Sequence, residues 1–246
     1  MIEVDHVSKR YGELEAVRDV AFRVDAGEVV GFVGPNGAGK TTTMKIIACL
    51  TPPTSGTARV DGFDTVERSA DARRRLGYLP ETVPLYTDMT VRQYLTYMGA
   101  LRDVPKRSRA ARVAEAIEAV RTEEYADTRI GALSKGYRQR VGIAQAVLHE
   151  PAAVVLDEPT SGLDPAQRNE MRSLIAELGK ERAVLLSSHI LSEVALMCDR
   201  LVVIDRGRIA ADGSLAAITE AAGLPPGSTP ERVFLALTGA GERAEP

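Results

Sequence analysis

Tryptophan is absent from this chain of 246 residues, and aromatic side chains make up only 4% of it. An aromatic placed before a turn therefore stands out. Cysteine occurs twice, at Cys49 and Cys198. Both lie in apolar surroundings and neither has metal-ligand spacing, so they read as packing thiols of a reducing compartment. No run of about 18 apolar residues is present, which argues against a membrane-spanning helix. The opening stretch MIEVDHVSKRYG lacks a charged start followed by an apolar core, so no signal peptide is expected and the chain is expected in the cytosol. An excess of one charge sign is missing too. The formal net charge is -3, which argues against a global field for nucleic acid and leaves open a local basic patch. No internal repeat is visible. What is there is 44% hydrophobic, enough for one large domain or a core with a subdomain.

The most informative stretch is Gly34-Pro35-Asn36-Gly37-Ala38-Gly39-Lys40-Thr41-Thr42. It fits the phosphate-binding loop pattern of Gly, four residues, then Gly-Lys-Thr. Glu28 to Val33 (EVVGFV) before it reads as a buried strand, and Thr41 to Leu50 after it as a helix. Strand, glycine loop and helix together make an anion cradle. Glycine lets successive N–H groups point inward, and the helix start adds unpaired N–H groups. Lys40 can reach the outer phosphates of a nucleoside triphosphate, and the Thr41 hydroxyl can bind Mg²⁺.

Ahead of that loop, residues 1–25 read as β, with Lys9-Arg10-Tyr11-Gly12 as a turn. Tyr11 is either a flat ring for an adenine base or a hairpin tyrosine covering the sheet. After the loop, Thr57 to Val60 with Asp61-Gly62 suggests a strand and turn. Residues 65–76 suggest a charged helix, and LGYLPE at Leu76 a strand ending at proline. Thr90-Val91-Arg92-Gln93 is a capping box opening a helix through Leu95, Met98 and Leu101. A second helix carries Val113, Ile117 and Val120. The stretch from about 85 to 150 therefore reads as a helical subdomain inserted in an α/β core. Near its end Ser134 is an N-cap, either of an ordinary helix with a basic face or of a second anion site.

Ala152 to Leu156 is a short apolar run ending in Asp157-Glu158. Ligands sit at the carboxyl ends of strands in open parallel sheets. Asp157 is placed to hold Mg²⁺, directly or through water. Glu158 is placed to orient and deprotonate an attacking water; the bland alternative is two acids capping the next turn. Asp164-Pro165 starts a helix burying Met171, Leu174, Ile175 and Leu178. The strand at Ala183–Leu186 ends at His189, which either donates to a γ-phosphate or packs at the strand end. Leu201 to Ile204 is a further strand, which Arg208 to Ala210 can pair across the Arg206-Gly207 turn. Residues 217–246 read as a linker, a short helix from Thr229 carrying Val233, Phe234 and Leu237, and a disordered tail.

Four separated pieces now fall in one order: GPNGAGKTT at Gly34, LSKGYRQRV at Leu133, VVLDEP at Val154 and SSHILSE at Ser187. This constellation resembles the ATP-binding cassette (ABC) ATPase family over residues 1 to about 216. The resemblance implies a P-loop NTPase, RecA-like α/β core (1–84 and 151–216) with an N-terminal antiparallel β subdomain and the inserted helical subdomain at 85–150. By position, Tyr11 resembles the adenine-stacking aromatic and Gly34 to Thr42 the Walker A loop. Asp157 resembles the Walker B aspartate, Glu158 the catalytic glutamate, Ser161 to Asp164 the D-loop and His189 the switch histidine. Ser134 and Gly136 correspond to the signature residues that approach γ-phosphate. Two departures stand out. Lys135 and Tyr137 replace a Gly and the Gln of the usual Leu-Ser-Gly-Gly-Gln, and Glu81 stands where the family has a Gln touching Mg²⁺ and water. Both departures look like the type-2 exporter branch, which includes drug and antibiotic exporters and gliding-motility ATPases.

The resemblance implies an ATPase using ATP and Mg²⁺, working as a homodimer or with a paired ATPase subunit. Each ATP would lie between the Walker A loop of one copy and the signature of the other. It also implies a separate integral membrane permease, contacted by the insert and the loop after Glu81, with the chain peripheral on the cytoplasmic face of the membrane and no nucleic-acid partner. Two other readings remain. One is a soluble ABC-type ATPase acting on DNA or ribosomes, although no coiled-coil insert, zinc module or second cassette is visible. The other is a non-catalytic nucleotide-binding regulator, against which Glu158 and His189 argue.

Overall fold

A computed structural model describes residues 1–239. The chain opens with an antiparallel hairpin, β1 (Ile2–Tyr11) and β2 (Leu14–Val24), and turns into β3 (Val29–Val33). The glycine loop follows, then α1 (Lys40–Ile47), β4 (Ser55–Val60), β5 (Phe63–Asp64), α2 (Ser69–Arg74) and β6 (Leu76–Leu79). Three longer helices come next, α3 (Val91–Leu101), α4 (Lys106–Ala119) and α5 (Lys135–Val147). The chain re-enters the sheet as β7 (Ala153–Leu156), then runs through α6 (Pro165–Gly179), β8 (Ala183–Ser188), the short α7 (Leu191–Val194), β9 (Arg200–Asp205) and β10 (Arg208–Gly213). It closes with α8 (Leu215–Ala221) and α9 (Pro230–Thr238).

Among the described residues the strands form two sheets. One is antiparallel, in the order β2-β1-β4-β5; the other has the order β10-β9-β3-β8-β7-β6 and is parallel except for β10 at its edge. This is the α/β architecture expected from the sequence. Strands of a parallel sheet are covered on both faces, so they read as unbroken apolar runs. Val154, Val155, Leu156, Val184, Leu185 and Leu186 are all fully buried. Each such side chain contributes about 1.5–3 kcal/mol. One apolar cluster joins a sheet face to α3–α6 through Leu79, Val154, Leu156 and Val184. A second joins the opposite face to the antiparallel sheet and α1 through Val30, Phe32 and Val155.

The registers fix the functional geometry. Val33 of β3 pairs with Ser188 of β8, and Leu156 of β7 pairs with Leu186 of β8. Three neighbouring strands therefore end at nearly the same level and on the same edge. Their next residues are the glycine loop, Asp157-Glu158 and His189.

Local signals explain most helix starts. Thr90 Oγ1 accepts from the Gln93 N–H at 3.2 Å, and Gln93 Oε1 accepts from the Thr90 N–H at 3.0 Å, completing the capping box. Asp164 caps α6 with Pro165 in its first turn, and Thr229 caps α9. Other expectations are corrected. Lys9, Arg10 and Tyr11 are the end of β1, and the turn is Gly12-Glu13. The helix after the loop stops at Ile47, and Cys49 takes a left-handed φ of 58°. The helix expected over 65–76 shrinks to α2. Helix α3 runs through Leu95, Met98 and Leu101 as expected, with Leu101 59% exposed at its end. Helix α8 was not anticipated; Ser214, whose hydroxyl accepts from the Ala217 N–H, was its readable signal. The expected disordered tail falls largely on 240–246, outside the described residues. Cys198 is buried, and burial pushes its thiol up, as befits a packing residue.

His149, just past α5, has Nε2 3.1 Å from the Leu76 carbonyl oxygen. Burial, with Arg102 nearby, pushes its imidazole down to about 4, so it is neutral in the fold. The unfolded chain titrates near the ordinary 6.5, so between those values it binds more protons than the folded chain. Stability therefore falls as pH drops from about 6.5 to 4, by at most about 3 kcal/mol from this group. We expect His149→Gln to flatten that part of the stability profile, measured by urea unfolding at stepped pH; an unchanged slope would remove His149 from the account.

Candidate functional site

The glycine loop is shaped by close approach. At Gly34 a Cβ would lie 2.3 Å from the Ile204 carbonyl oxygen of β9. At Gly39 the φ is 110° and a Cβ would lie 2.6 Å from the Ala16 carbonyl oxygen. Both positions require glycine, so neighbouring backbone moulds the loop. Helix α1 then begins at Lys40, with its first N–H groups available at the loop. Lys40 is only 7% exposed, and its ammonium donates to the carbonyls of Gly34 at 2.6 Å and Pro35 at 3.1 Å. Burial lowers its pKa, while Glu158, Asp157 and Glu81 pull the other way. The lysine is thus the cation of an otherwise acidic neighbourhood.

Asp157 and Glu158 leave β7 in different roles. Asp157 is 2% exposed, and its Oδ1 accepts from the Ser187 hydroxyl at 2.6 Å. The same Ser187 Oγ accepts from the Glu158 N–H at 2.9 Å. Glu158 has a left-handed φ of 51°, a conformation costing about 1 kcal/mol for a residue with a Cβ. That turn sends its carboxylate away from the strand and toward His189, whose Nδ1 lies 3.0 Å from both oxygens. A contact of that kind requires Nδ1 to carry the proton.

Lys40, Glu158 and His189 share one cleft of about 370 Å³, which Asp157 and Ser187 do not line. Tyr11, Asn36, Gly37, Gly39, Lys40, Thr41 and Thr42 line it together with Glu81, Glu158, Ser161 and His189. Gly34 and Pro35 lie beneath, holding Lys40 through their carbonyls, and Ala38 is buried. Tyr11 is 49% exposed at the rim, with the Lys9 ammonium 5.1 Å from its ring centre. Leu14 and Ala16 of β2 also line the cleft. Sequence reasoning missed them because only the hairpin pairing, Tyr11 opposite Leu14, brings them there. Ser187 was quoted only as part of a motif; its bridge between the two acids depends on the β7–β8 register.

Ser134 and Gly136 are not brought into this cleft. Gly136 lines a separate cavity with Tyr137, Arg140, Leu163, Gln167 and Glu170. Ser134 caps α5, accepting from the Tyr137 N–H at 3.4 Å. The two unusual residues of this stretch are packed within their own chain. A Cβ at Gly162 would lie 2.1 Å from the Lys135 ammonium, so Lys135 sits against the loop between β7 and α6. Tyr137 packs on Tyr125 with ring centres 4.2 Å apart, and Arg140 pairs with Glu170.

Thr41, Asp157 and Glu81 offer only oxygen donors, which suits a hard divalent cation. Among the described residues no three His, Cys, Asp or Glu side chains gather into a metal cage. Mg²⁺ rarely uses such cages, being held by one or two protein oxygens with water and substrate phosphates. The donor set fits that mode.

Comparison with known proteins points the same way. The family model described as "ABC transporter" matches residues 17–161. An uncharacterized ABC transporter ATP-binding protein, YxlF of Bacillus subtilis, is 42% identical over 87% of this chain and 71% of its own. The Nod factor export ATP-binding protein I of Burkholderia lata is 39% identical over 89% of this chain and 72% of its own. Among solved structures, an ATP-binding subunit of an ABC transporter superposes with a TM-score of 0.86 at 32% identity, covering 96% of this chain and 99% of that one. A dimeric ATP-binding cassette in a post-hydrolysis state with ADP and Pi has a TM-score of 0.76 at 25% identity, covering 87% and 99%.

Ser187 is fully buried and bonded to both strand-end acids. Its removal leaves a buried carboxylate and a buried N–H short of a partner, at a cost of about 1–3 kcal/mol. We expect Ser187→Ala to lower the urea midpoint accordingly; a midpoint equal to the parent's would mean that water replaces the hydroxyl.

Proposed function

Because this chain belongs to the ABC transporter family of ATP-binding proteins, we propose that it hydrolyses ATP to drive export through a separate membrane permease, by closing and opening a dimer. One observation carries the reading: three level strand ends gather Lys40, Glu158 and His189 in one cleft, while Ser134 lies outside it.

In this reading the triphosphate lies against the glycine loop, with backbone N–H groups and the start of α1 meeting its charge. Tyr11 stacks on the base at the rim. Lys40 exchanges its contacts with Gly34 and Pro35 for the outer phosphates, which a lysine already partly desolvated does at reduced cost. Glu158 orients a water and takes its proton as the water oxygen attacks the γ-phosphorus and the bond to the bridging oxygen breaks. His189, held by Glu158 through Nδ1, presents Nε2 to the γ-phosphate and donates to it as the imidazolium, in which both ring nitrogens carry protons. Thr41, Asp157 and Glu81 would hold Mg²⁺, which would neutralise charge on the phosphates when bound.

The signature helix start at Ser134 then serves the cleft of a second copy. The dimeric cassette among the structural neighbours supports this arrangement. A triphosphate bridging two anion sites favours closure, and loss of the γ-phosphate releases it. Among the described residues no helix is long and apolar enough to cross a membrane. A permease contact is supported by apolar side chains left exposed on the insert and the loop before it, Tyr86, Tyr97 and Leu101. Export is supported by the Nod factor relative, and a peripheral position on the cytoplasmic face follows from a permease partner.

We expect Glu158→Gln to bind ATP as the parent does and to lose turnover by about 100-fold or more. Undiminished phosphate release would count against Glu158 as the group that activates water. Lys40→Ala should weaken ATP binding by about 10-fold or more, measured by calorimetry. Turnover per chain should fall on dilution below the pairing concentration; constant turnover by monomers would sink the dimer mechanism.

A further inference from the structure

The loop after Glu158 and the segment carrying His189 are tied together by one carboxylate. Glu193 lies on α7, and its side chain is 19% exposed. Its Oε2 accepts from the Thr160 hydroxyl at 3.0 Å, and its Oε1 accepts from the Arg168 guanidinium of α6. Arg168 also donates through Nε to the Leu163 carbonyl at 3.1 Å, and the Leu163 N–H donates to the Thr160 carbonyl at 3.2 Å. Thr160, Glu193, Arg168 and Leu163 thereby close a ring around the turn that carries Ser161. That turn is in contact with the chemistry. Ser161 lines the cleft, and its N–H donates to the Glu158 carbonyl at 3.1 Å. On its other side α7 packs against α9, with Leu191, Val194 and Val233 in one apolar cluster. The ring is therefore joined through α7 to the C-terminal helix α9.

We propose that Glu193 is a positioning residue for hydrolysis: it locks the turn after Glu158 to the switch segment, so that Glu158, Ser161 and His189 keep one relative geometry. The proposal rests on the reading above that Glu158 and His189 serve turnover. A charge-assisted bond is about twice as strong as a neutral one, and a bidentate carboxylate joining two elements fixes both. Without it α7 stays packed through Leu191 and Val194, and the turn is held to the His189 strand end only through Glu158 and Ser187. The loss therefore falls on geometry at the reacting atoms, where small displacements are expensive. Binding, which uses the glycine loop, is left alone.

The test is steady-state ATPase kinetics on the full chain with ATP affinity measured in parallel. Glu193→Gln and Thr160→Val should each lower kcat by roughly 10- to 100-fold, with ATP affinity within about threefold of the parent. Thr160→Ser, which keeps the hydroxyl, should recover most of the parent kcat. The double variant should be no worse than the lower single one, because both break the same link. Parent-like kcat in both single variants overturns the proposal, as does a loss that Thr160→Ser fails to recover or that tracks lost affinity. If Glu193→Gln does not fold, the Thr160→Val and Thr160→Ser pair decides alone. Glu158→Gln serves as the reference. If it is inactive while Glu193→Gln and Thr160→Val are normal, only the positioning role fails. If Glu158→Gln turns over at the parent rate, the reading of the site fails and the proposal with it.

Discussion

Everything at the cleft depends on where three neighbouring strands stop. Parallel pairing of β3, β8 and β7 sets Val33 beside Ser188 and Leu156 beside Leu186. A slip of one residue would exchange the side chains packed on the two faces and draw a polar strand-end residue into the apolar run, and both cores resist that. The hydrophobic cores on both faces thus do more than stabilise. They fix the positions of groups that carry charge, because a lysine, two acids and a histidine are each attached within a few residues of a locked strand end.

The charges are then balanced against burial. Lys40 is desolvated enough to lower its pKa, and the acids around it partly offset that. Asp157 is buried yet bonded to Ser187, and Glu158 is held against His189. Each of these buried groups has a named partner, which keeps the desolvation cost modest. The buried side-chain atoms without one among the described residues, Thr65 Oγ1 and His149 Nδ1, are not among the residues lining the cleft.

Much of this was legible in the amino-acid sequence, for a physical reason. Strands covered on both faces must be continuous apolar runs, so EVVGFV, AAVVL and AVLL announce themselves, and the glycine or polar residue after each marks the sheet edge. The capping box at Thr90 and the Asp164-Pro165 start are local, so they too could be read. What stayed hidden is what register and long-range packing decide. Ser187 bridges two acids only because β8 lies beside β7. Leu14 meets the cleft only because it pairs with Tyr11. The left-handed turn at Glu158 follows from bonds on either side of it, at Ser187 and His189. Helix α8 has small residues in place of an apolar stripe, so its Ser214 cap was the one signal it offered. Lys135 and Tyr137, departures in the motif, make sense once Gly162 and Tyr125 are seen beside them.

The close fit of Gly34 beneath Ile204 has a consequence for biogenesis. The cradle is encoded early, yet its mould comes from β9, and its flanking strand β3 is hydrogen-bonded on both edges by β8 and β9. A ribosome releasing the chain from its N-terminus exposes the glycine loop long before those strands exist. Until they arrive, β3 has two bare edges and the loop has no floor. The cradle is therefore completed only when β8 and β9 have been made, and until then the bare edges of β3 are open to pairing with other unfinished chains.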